Sequence, residues 1–485
     1  MIASPLTQPL RICHVFAGVE GGSWAFDQLL SLKNDFGCEV TAVLSGSEGP
    51  LPDRCRAAGI PIKPLDFRMS PGTMTTLPWR IFSFALWLRR NRIDVVQSHV
   101  VNSTMLARPA AWLADVPVRL TMVTSPYYMD SPTLRQVEIE SCSMETGIIP
   151  SCVRTADLYR EAGVAEELIC ETLYYGPSSQ RFDPAKAQPL GLRQRLGLPA
   201  DAPTIASIAH FYPRMPRIKD IMPACLEGQL LKGHDVLIDA MPHILSEFPD
   251  AKMLFIGKGW GLDPSSCEAE IRALIAQAGM GDHVFMAGYI DDIPGAYMDV
   301  DVSVQASLYE NLGGTIESLL MQRPTVATRV GGMIDSVIDG ETGILVNPSD
   351  ATDLARGICE LLRDRERARL LGEQGRKRML EGFTLEATMP RLAALYSRQR
   401  AAAPTAWRST AFTHRLFSLA LRYLPVTASV GKAVFRRFTP AIKLRLKIRG
   451  QQMLMVFFRA VPFIPAPIRR RLSPLKRLSS RLFKS

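Results

Sequence analysis

The nine cysteines form no C-x-x-C pair and no zinc-type spacing; they stand singly at positions 13, 38, 55, 142, 152, 170, 225, 267 and 359. That excludes a thiol-exchange motif and a zinc ribbon, and it fits a reducing compartment better than a disulfide framework. No uninterrupted apolar run reaches ~18 residues, so a spanning helix is not expected. Residues 1–9 lack the basic start and apolar centre of a secretory leader, and none is expected. Acidic residues are missing altogether from 404–485, a stretch that carries 18 lysines and arginines. The net charge of +10 is therefore unevenly placed: the remaining 39 basic and 47 acidic residues give the body a net of −8. A mildly acidic body ends in a strongly basic tail.

At 485 residues and 47% hydrophobic, the chain has the length for two or three domains and the apolar content for sizeable cores. Residues 10–16 read as a buried parallel strand, followed by Gly18, Gly21, Gly22 and a helical pattern through Trp24, Phe26, Leu29 and Leu30. The glycine spacing there is not the G-x-G-x-x-G dinucleotide fingerprint. Strand-like runs recur at 39–44, 94–98 and 118–123, alternating with helical patterns at 51–58 and 77–90, which argues for a parallel sheet. In the pattern over 77–92, apolar Trp79, Phe82 and Trp87 are interleaved with Arg80, Arg89, Arg90 and Arg92, as in a helix packed on the sheet with a solvated basic end. His99 closes the strand-like run 94–98, where ligands of such sheets gather, and is a candidate site residue. Residues 126–143 show no clear periodicity and read as a long loop. A Pro-, Ala- and Gly-rich stretch at 183–203 reads as a linker. A second series of strand-like runs follows at 204–210, 252–257, 284–287, 302–305, 325–328 and 344–346. Two similar α/β halves imply two domains facing across a cleft.

The chemistry concentrates after the run at 302–305. Ser307, Glu310, Gly313, Gly314, Thr315 and Glu317 form a polar glycine loop running into a helix that starts near Thr315, and Gly331-Gly332 follows the next strand. Glycines let backbone amides approach a ligand, and a helix N-terminus attracts phosphate. The flanking carboxylates cannot hold phosphate but accept hydrogen bonds from hydroxyls. Lys232-Gly233 at the start of another helix also suits a phosphate. Phosphate donors between hydroxyl acceptors describe a nucleotide-sugar site.

The ordered set Gly21-Gly22, Lys232-Gly233-His234-Asp235, Gly288-Tyr289, Ser307…Glu310…Glu317, Pro324 with the following strand, Gly331-Gly332 and Asp339-Gly340-Glu341-Thr342-Gly343 resembles glycosyltransferase family 4, over about residues 10–400. The resemblance implies an α/β GT-B fold of two Rossmann-like domains, an acceptor domain at 1–182 and a donor domain at 204–383 on either side of the linker at 183–203, with a returning helix at 384–403; the basic amphipathic tail at 404–485, read from its composition, lies beyond it. It implies retaining transfer from a nucleotide sugar with no metal and no cofactor. Carried over by position, Lys232 contacts the donor pyrophosphate with an upstream arginine, Arg214 or Arg217. The backbone of Gly313, Gly314 and Thr315 holds phosphate and sugar oxygens. Glu310 binds the transferred sugar, Glu317 the ribose, and Tyr289 and Ile290 lie near the base. Gly21 and Gly22 reach the phosphate and acceptor from across the cleft.

The sequence departs from the family pattern in three places. Six residues, 311–316, separate the two glutamates where the family has seven. Thr124-Ser125-Pro126 stands where a histidine is usual, and 211–231 is an atypical irregular insertion. The leading expectation is a glycosyltransferase acting on a membrane-proximal, lipid-linked glycan, held at the inner face of the plasma membrane by its tail through anionic lipid. The alternatives are a non-catalytic nucleotide-sugar-binding regulator and a nucleotide-sugar epimerase; the lysine-then-acidic-pair order argues against the epimerase. A nucleic-acid partner rests on the tail charge alone and is not expected.

Overall fold

Each of the two sheets is built from short runs buried on both faces, as parallel strands between helix layers must be. The computed structural model describes residues 9–403 apart from 21–22, 70–72, 74–75, 125, 218–222 and 262. Gly21, Gly22 and the tail at 404–485 therefore lie outside the described residues. The first sheet holds β1 (Arg11–Phe16), β2 (Glu39–Leu44), β3 (Ile62–Pro64), β4 (Val95–His99), β5 (Val118–Val123) and β6 (Gly147–Pro150) in the order β3-β2-β1-β4-β5-β6. The second holds β7 (Thr204–Ile208), β8 (Lys252–Ile256), β9 (Val284–Gly288), β10 (Val302–Gln305), β11 (Thr325–Thr328) and β12 (Ile344–Val346) in the order β12-β11-β10-β7-β8-β9. Neighbouring strands in both pair in parallel.

The period-two alternation of a strand is visible in the cores. In β1, Ile12 and Phe16 enter one apolar cluster while Cys13 and Val15 enter the other. In β8, Met253 and Phe255 enter one cluster while Leu254 and Ile256 enter the other. Helices cover both faces, so each half is a doubly wound unit. The last described helix, Leu385–Ala402, starts at an N-cap where Thr384 Oγ1 accepts from Ala387 N at 3.3 Å, then crosses onto the first sheet. There Met389, Leu392 and Tyr396 join the cluster around Ile12, and Arg400 Nε reaches Asp94 Oδ1 at 3.0 Å.

The loop expected over 126–143 is instead a short 3-10 turn, Pro126–Asp130, and a helix, Pro132–Cys142. Ser131 caps the helix by accepting from Leu134 N at 3.3 Å. Its inner face is held by a buried ion cluster: Arg108 donates to Glu138 at 2.7 and 2.9 Å and to Glu145 at 2.9 Å, and Tyr159 donates to Glu138 at 2.8 Å. These partners are distant in sequence, so local periodicity carries no sign of them. Among the described residues no helix is long and apolar enough to cross a membrane.

Candidate functional site

Open α/β sheets bind ligands outside the carboxyl ends of the strands, where strand order reverses. In the second sheet that point lies between β7 and β10. The loop 306–314 leaves β10 there, and Lys232 arrives beside it at the start of the helix His234–Leu245. Two glycines make the approach close. Gly233 has φ +66°, and a β-carbon there would stand 2.1 Å from Ala306 O; Gly331 has φ +51°, and a β-carbon there would stand 1.7 Å from Glu310 O.

The consequence is a direct ion pair between Lys232 Nζ and Glu310 Oε2, with the two side chains 15% and 16% exposed. Glu310 also accepts from Asn311 N at 3.1 Å and Ser307 Oγ at 3.3 Å. Burial works against the lysine charge, but the Glu310 carboxylate and Tyr212 oppose it and the net effect raises its pKa, so Lys232 stays cationic. With six residues between the two glutamates, Glu310 lies within reach of Lys232.

Glu317 lies in the first turn of the helix Thr315–Leu320. Burial pushes its carboxyl up to about 7, with Arg181 opposing. Thr315 is fully buried and its hydroxyl is spent on Leu312 O and on Ser336 Oγ at 2.7 Å, which leaves only its backbone for a ligand. Gly314 N is already donated to Gln305 Oε1 at 3.4 Å.

Tyr289 follows β9 and is 53% exposed, with Lys258 Nζ 4.5 Å from its ring centroid. The Ile290 side chain is buried in the apolar cluster with Leu254 and Ile256, so only its backbone can face a base. Sequence reasoning missed the neighbours of Tyr289: His210 stacks toward it at 6.4 Å and meets Trp260 at 4.8 Å, and Trp260 meets Tyr212 at 5.9 Å. An aromatic wall with Lys258 on its edge therefore lines the ends of β7, β8 and β9. The available signal was that each member lies just past a strand's carboxyl end.

Of the two upstream arginines, Arg214 is held by partners other than the ion pair. Arg214 Nε donates to Glu270 at 2.5 Å and its Nη1 to Gly228 O at 3.1 Å. Arg217 is exposed and lies along Gly228. His99 is also placed differently from an open acceptor group. It is fully buried, stacked on Phe16 at 4.3 Å and near Trp24 at 5.3 Å, and burial together with His14 keeps its ring well below the usual histidine range. Tyr396 from the returning helix ties this cluster together, donating to Gln97 Oε1 at 2.6 Å and bonding His14 Nε2 at 2.9 Å.

The two domains touch beside the site. Tyr309, the residue before Glu310, donates to Asp130 Oδ2 at 2.8 Å. Asp335 accepts Val153 N at 2.7 Å at the start of the helix Val153–Glu161, and Tyr174 OH at 3.3 Å. The first domain thus meets the second immediately beside the loop that carries Glu310.

This geometry defines a GT-B protein, and the comparisons agree. Family descriptions match in tandem: "Glycosyl transferase 4-like domain" over 20–170 and "Glycosyl transferases group 1" over 226–364. The chain carries glycosyltransferase domains of these two kinds, consistent with family 4, and its fold is that of GT-B proteins. It is 31% identical over 172 residues to the putative glycosyltransferase EpsD of Bacillus subtilis, covering 35% of this chain and 43% of that one. It is 27% identical over 242 residues to the GDP-mannose-dependent alpha-(1-6)-phosphatidylinositol monomannoside mannosyltransferase of Mycolicibacterium smegmatis, covering 48% and 57%. The chain spans about half the length of these curated relatives. Anabaena Alr3699/HepE, solved with UDP and glucose, shares 17% identity and superposes with a TM-score of 0.66 over 80% of this chain and 99% of that one.

Proposed function

We propose that this protein transfers a glycosyl group from a nucleotide sugar to a hydroxyl of a membrane-proximal, lipid-linked glycan, with retention and without a metal. The observation that carries the reading is the Lys232–Glu310 pair at the switch point of the second sheet, next to the contact of Tyr309 with Asp130 of the first domain. The Glu310 carboxylate occupies the anionic place beside Lys232. A donor diphosphate would take that place, leaving Glu310 to accept hydrogen bonds from the transferred sugar. Lys232 then stabilises charge growing on the departing diphosphate, which is where a fixed cation is worth most. The departing phosphate takes the acceptor's proton on the same face, so no protein nucleophile is needed. In this reading Glu317 accepts from the ribose, and the aromatic wall at Tyr289, His210 and Trp260 stacks against the base.

Support for a lipid-linked acceptor comes from the mycobacterial relative, whose name specifies a phosphatidylinositol mannoside, and from the basic, apolar-rich tail at 404–485. We place the protein on the cytoplasmic side of the membrane, bound peripherally. Thermal unfolding against UDP-, GDP- and ADP-sugars tests the donor half, since a ligand bound only by the folded state raises the melting temperature. One nucleotide class should protect well beyond the others; no protection by any would remove the donor-site reading.

A further inference from the structure

Asn311, the residue after Glu310, is 1% exposed, yet neither its amide oxygen nor its amide nitrogen meets a hydrogen-bond partner among the described residues. Gln305 at the end of β10 is 2% exposed; its Oε1 takes Gly314 N at 3.4 Å, and its Nε2 has no partner. Buried polar groups are almost always paired, and each orphan is costly. Here one carboxamide without a partner and one only half paired stand on either side of Glu310 in sequence.

Their surroundings say what is missing. Tyr175 of the first domain lies beside the Asn311 amide, its own hydroxyl already donated to Thr124 O at 3.0 Å. Glu310 is occupied by Lys232, Ser307 and the Asn311 backbone. Asn311 therefore sits at the seam of the two domains, beside the carboxylate assigned to the transferred sugar. A carboxamide presents an acceptor oxygen and a donor NH2, and a hydroxyl, like a water, satisfies both through a single oxygen.

Resting on the glycosyltransferase reading, we infer that Asn311, with Gln305 Nε2 as a second donor, reads a sugar hydroxyl beside Glu310 and is a specificity-determining residue. The hydroxyl belongs either to the transferred sugar or to the acceptor sugar. A site built to hydrogen-bond a hydroxyl rejects the analogue lacking it far more strongly than an apolar pocket tells two analogues apart, because the buried amide is then left unpaired.

The test compares kcat/KM of wild type and Asn311→Leu with the parent substrates, with a set of singly deoxygenated nucleotide sugars, and with singly deoxygenated acceptors. Wild type should reject one analogue by roughly a hundredfold or more, and which arm contains it identifies the source of the hydroxyl. In Asn311→Leu that ratio should collapse to within about threefold, while the melting temperature of the ligand-free protein does not fall, since an apolar group replaces an orphaned amide. Asn311→Ala repeats the comparison if leucine does not fold. Unchanged ratios in both arms for a variant that still transfers would overturn the inference and leave the proposed function standing. Absence of transfer by wild type with every donor would overturn both.

Discussion

At the scale of residues, the account rests on charges held where they would otherwise be expensive. Lys232→Ala should reduce transfer by roughly 10²–10³-fold, the range for removing one group that stabilises developing charge, and EDTA should leave wild-type activity unchanged. Activity abolished by EDTA and restored by a divalent ion would contradict the metal-free half. Glu310→Ala should chiefly slow turnover, and Glu317→Ala should chiefly weaken donor binding. Glu317 also carries a pH signature. Its folded pKa is raised to about 7, against an ordinary value of 4.5, by burial. The neutral form is favoured by folding, so this contribution is fully present below pH ~4.5 and is lost as pH rises through ~7. Relative to Glu317→Gln, wild-type stability should fall over that window by up to ~3 kcal/mol. A ribose donating to the carboxylate favours the ionised form, so donor binding at pH 6 should release a proton. Calorimetry in two buffers of different ionisation enthalpy detects it; identical heats would contradict the ribose role. Lys232, Glu310 and Glu317 were legible in the sequence because each lies in a contiguous motif at a helix start. His210, Tyr212 and Trp260 were not, because two strand ends far apart in sequence assemble the wall they share with Tyr289.

At the scale of elements, glycine decides whether the site closes up. Gly331→Ala would place a β-carbon 1.7 Å from Glu310 O at a φ of +51°. The loop 306–314 must then shift, at a cost of about 1–3 kcal/mol for the backbone alone. Transfer should fall more than stability, because the displaced group is Glu310. Urea unfolding and kcat measured on the same preparation separate the two, and wild-type kinetics in a destabilised variant would place Glu310 outside the reaction. The strands with strong apolar runs were readable from the chain. β3 and β6 were not: they form the two edges of the first sheet, and their runs of three and four residues each end in a proline, which reads as a turn rather than a strand. The helix Pro132–Cys142 was hidden for another reason. Its stability comes from Arg108 and Tyr159, which reach it from other elements.

At the scale of the molecule, the two domains and the returning helix form a unit with its own buried cores, and the basic tail lies beyond it in sequence. A variant ending at residue 403 should fold, keep nucleotide-sugar binding, and lose affinity for anionic vesicles in low salt, where each basic residue near the surface contributes roughly 1 kcal/mol. Equal co-sedimentation of full-length and shortened protein would remove the tail from the mechanism. The two-domain division was legible because the βα alternation restarts after a linker. The contacts that join the halves, Tyr309 to Asp130 and Asp335 to Val153, were not, since pairing across 179 and 182 residues leaves no local trace.

The most direct test of the central claim is the release of nucleoside diphosphate by full-length protein with its protecting nucleotide sugar, followed over time with and without a glycolipid acceptor. Many equivalents per protein, released only when acceptor is present and lost in Lys232→Ala, is the predicted result. Tight donor binding with no more than one equivalent released, whatever acceptor is supplied, would contradict a transferase and leave a nucleotide-sugar-binding protein in its place.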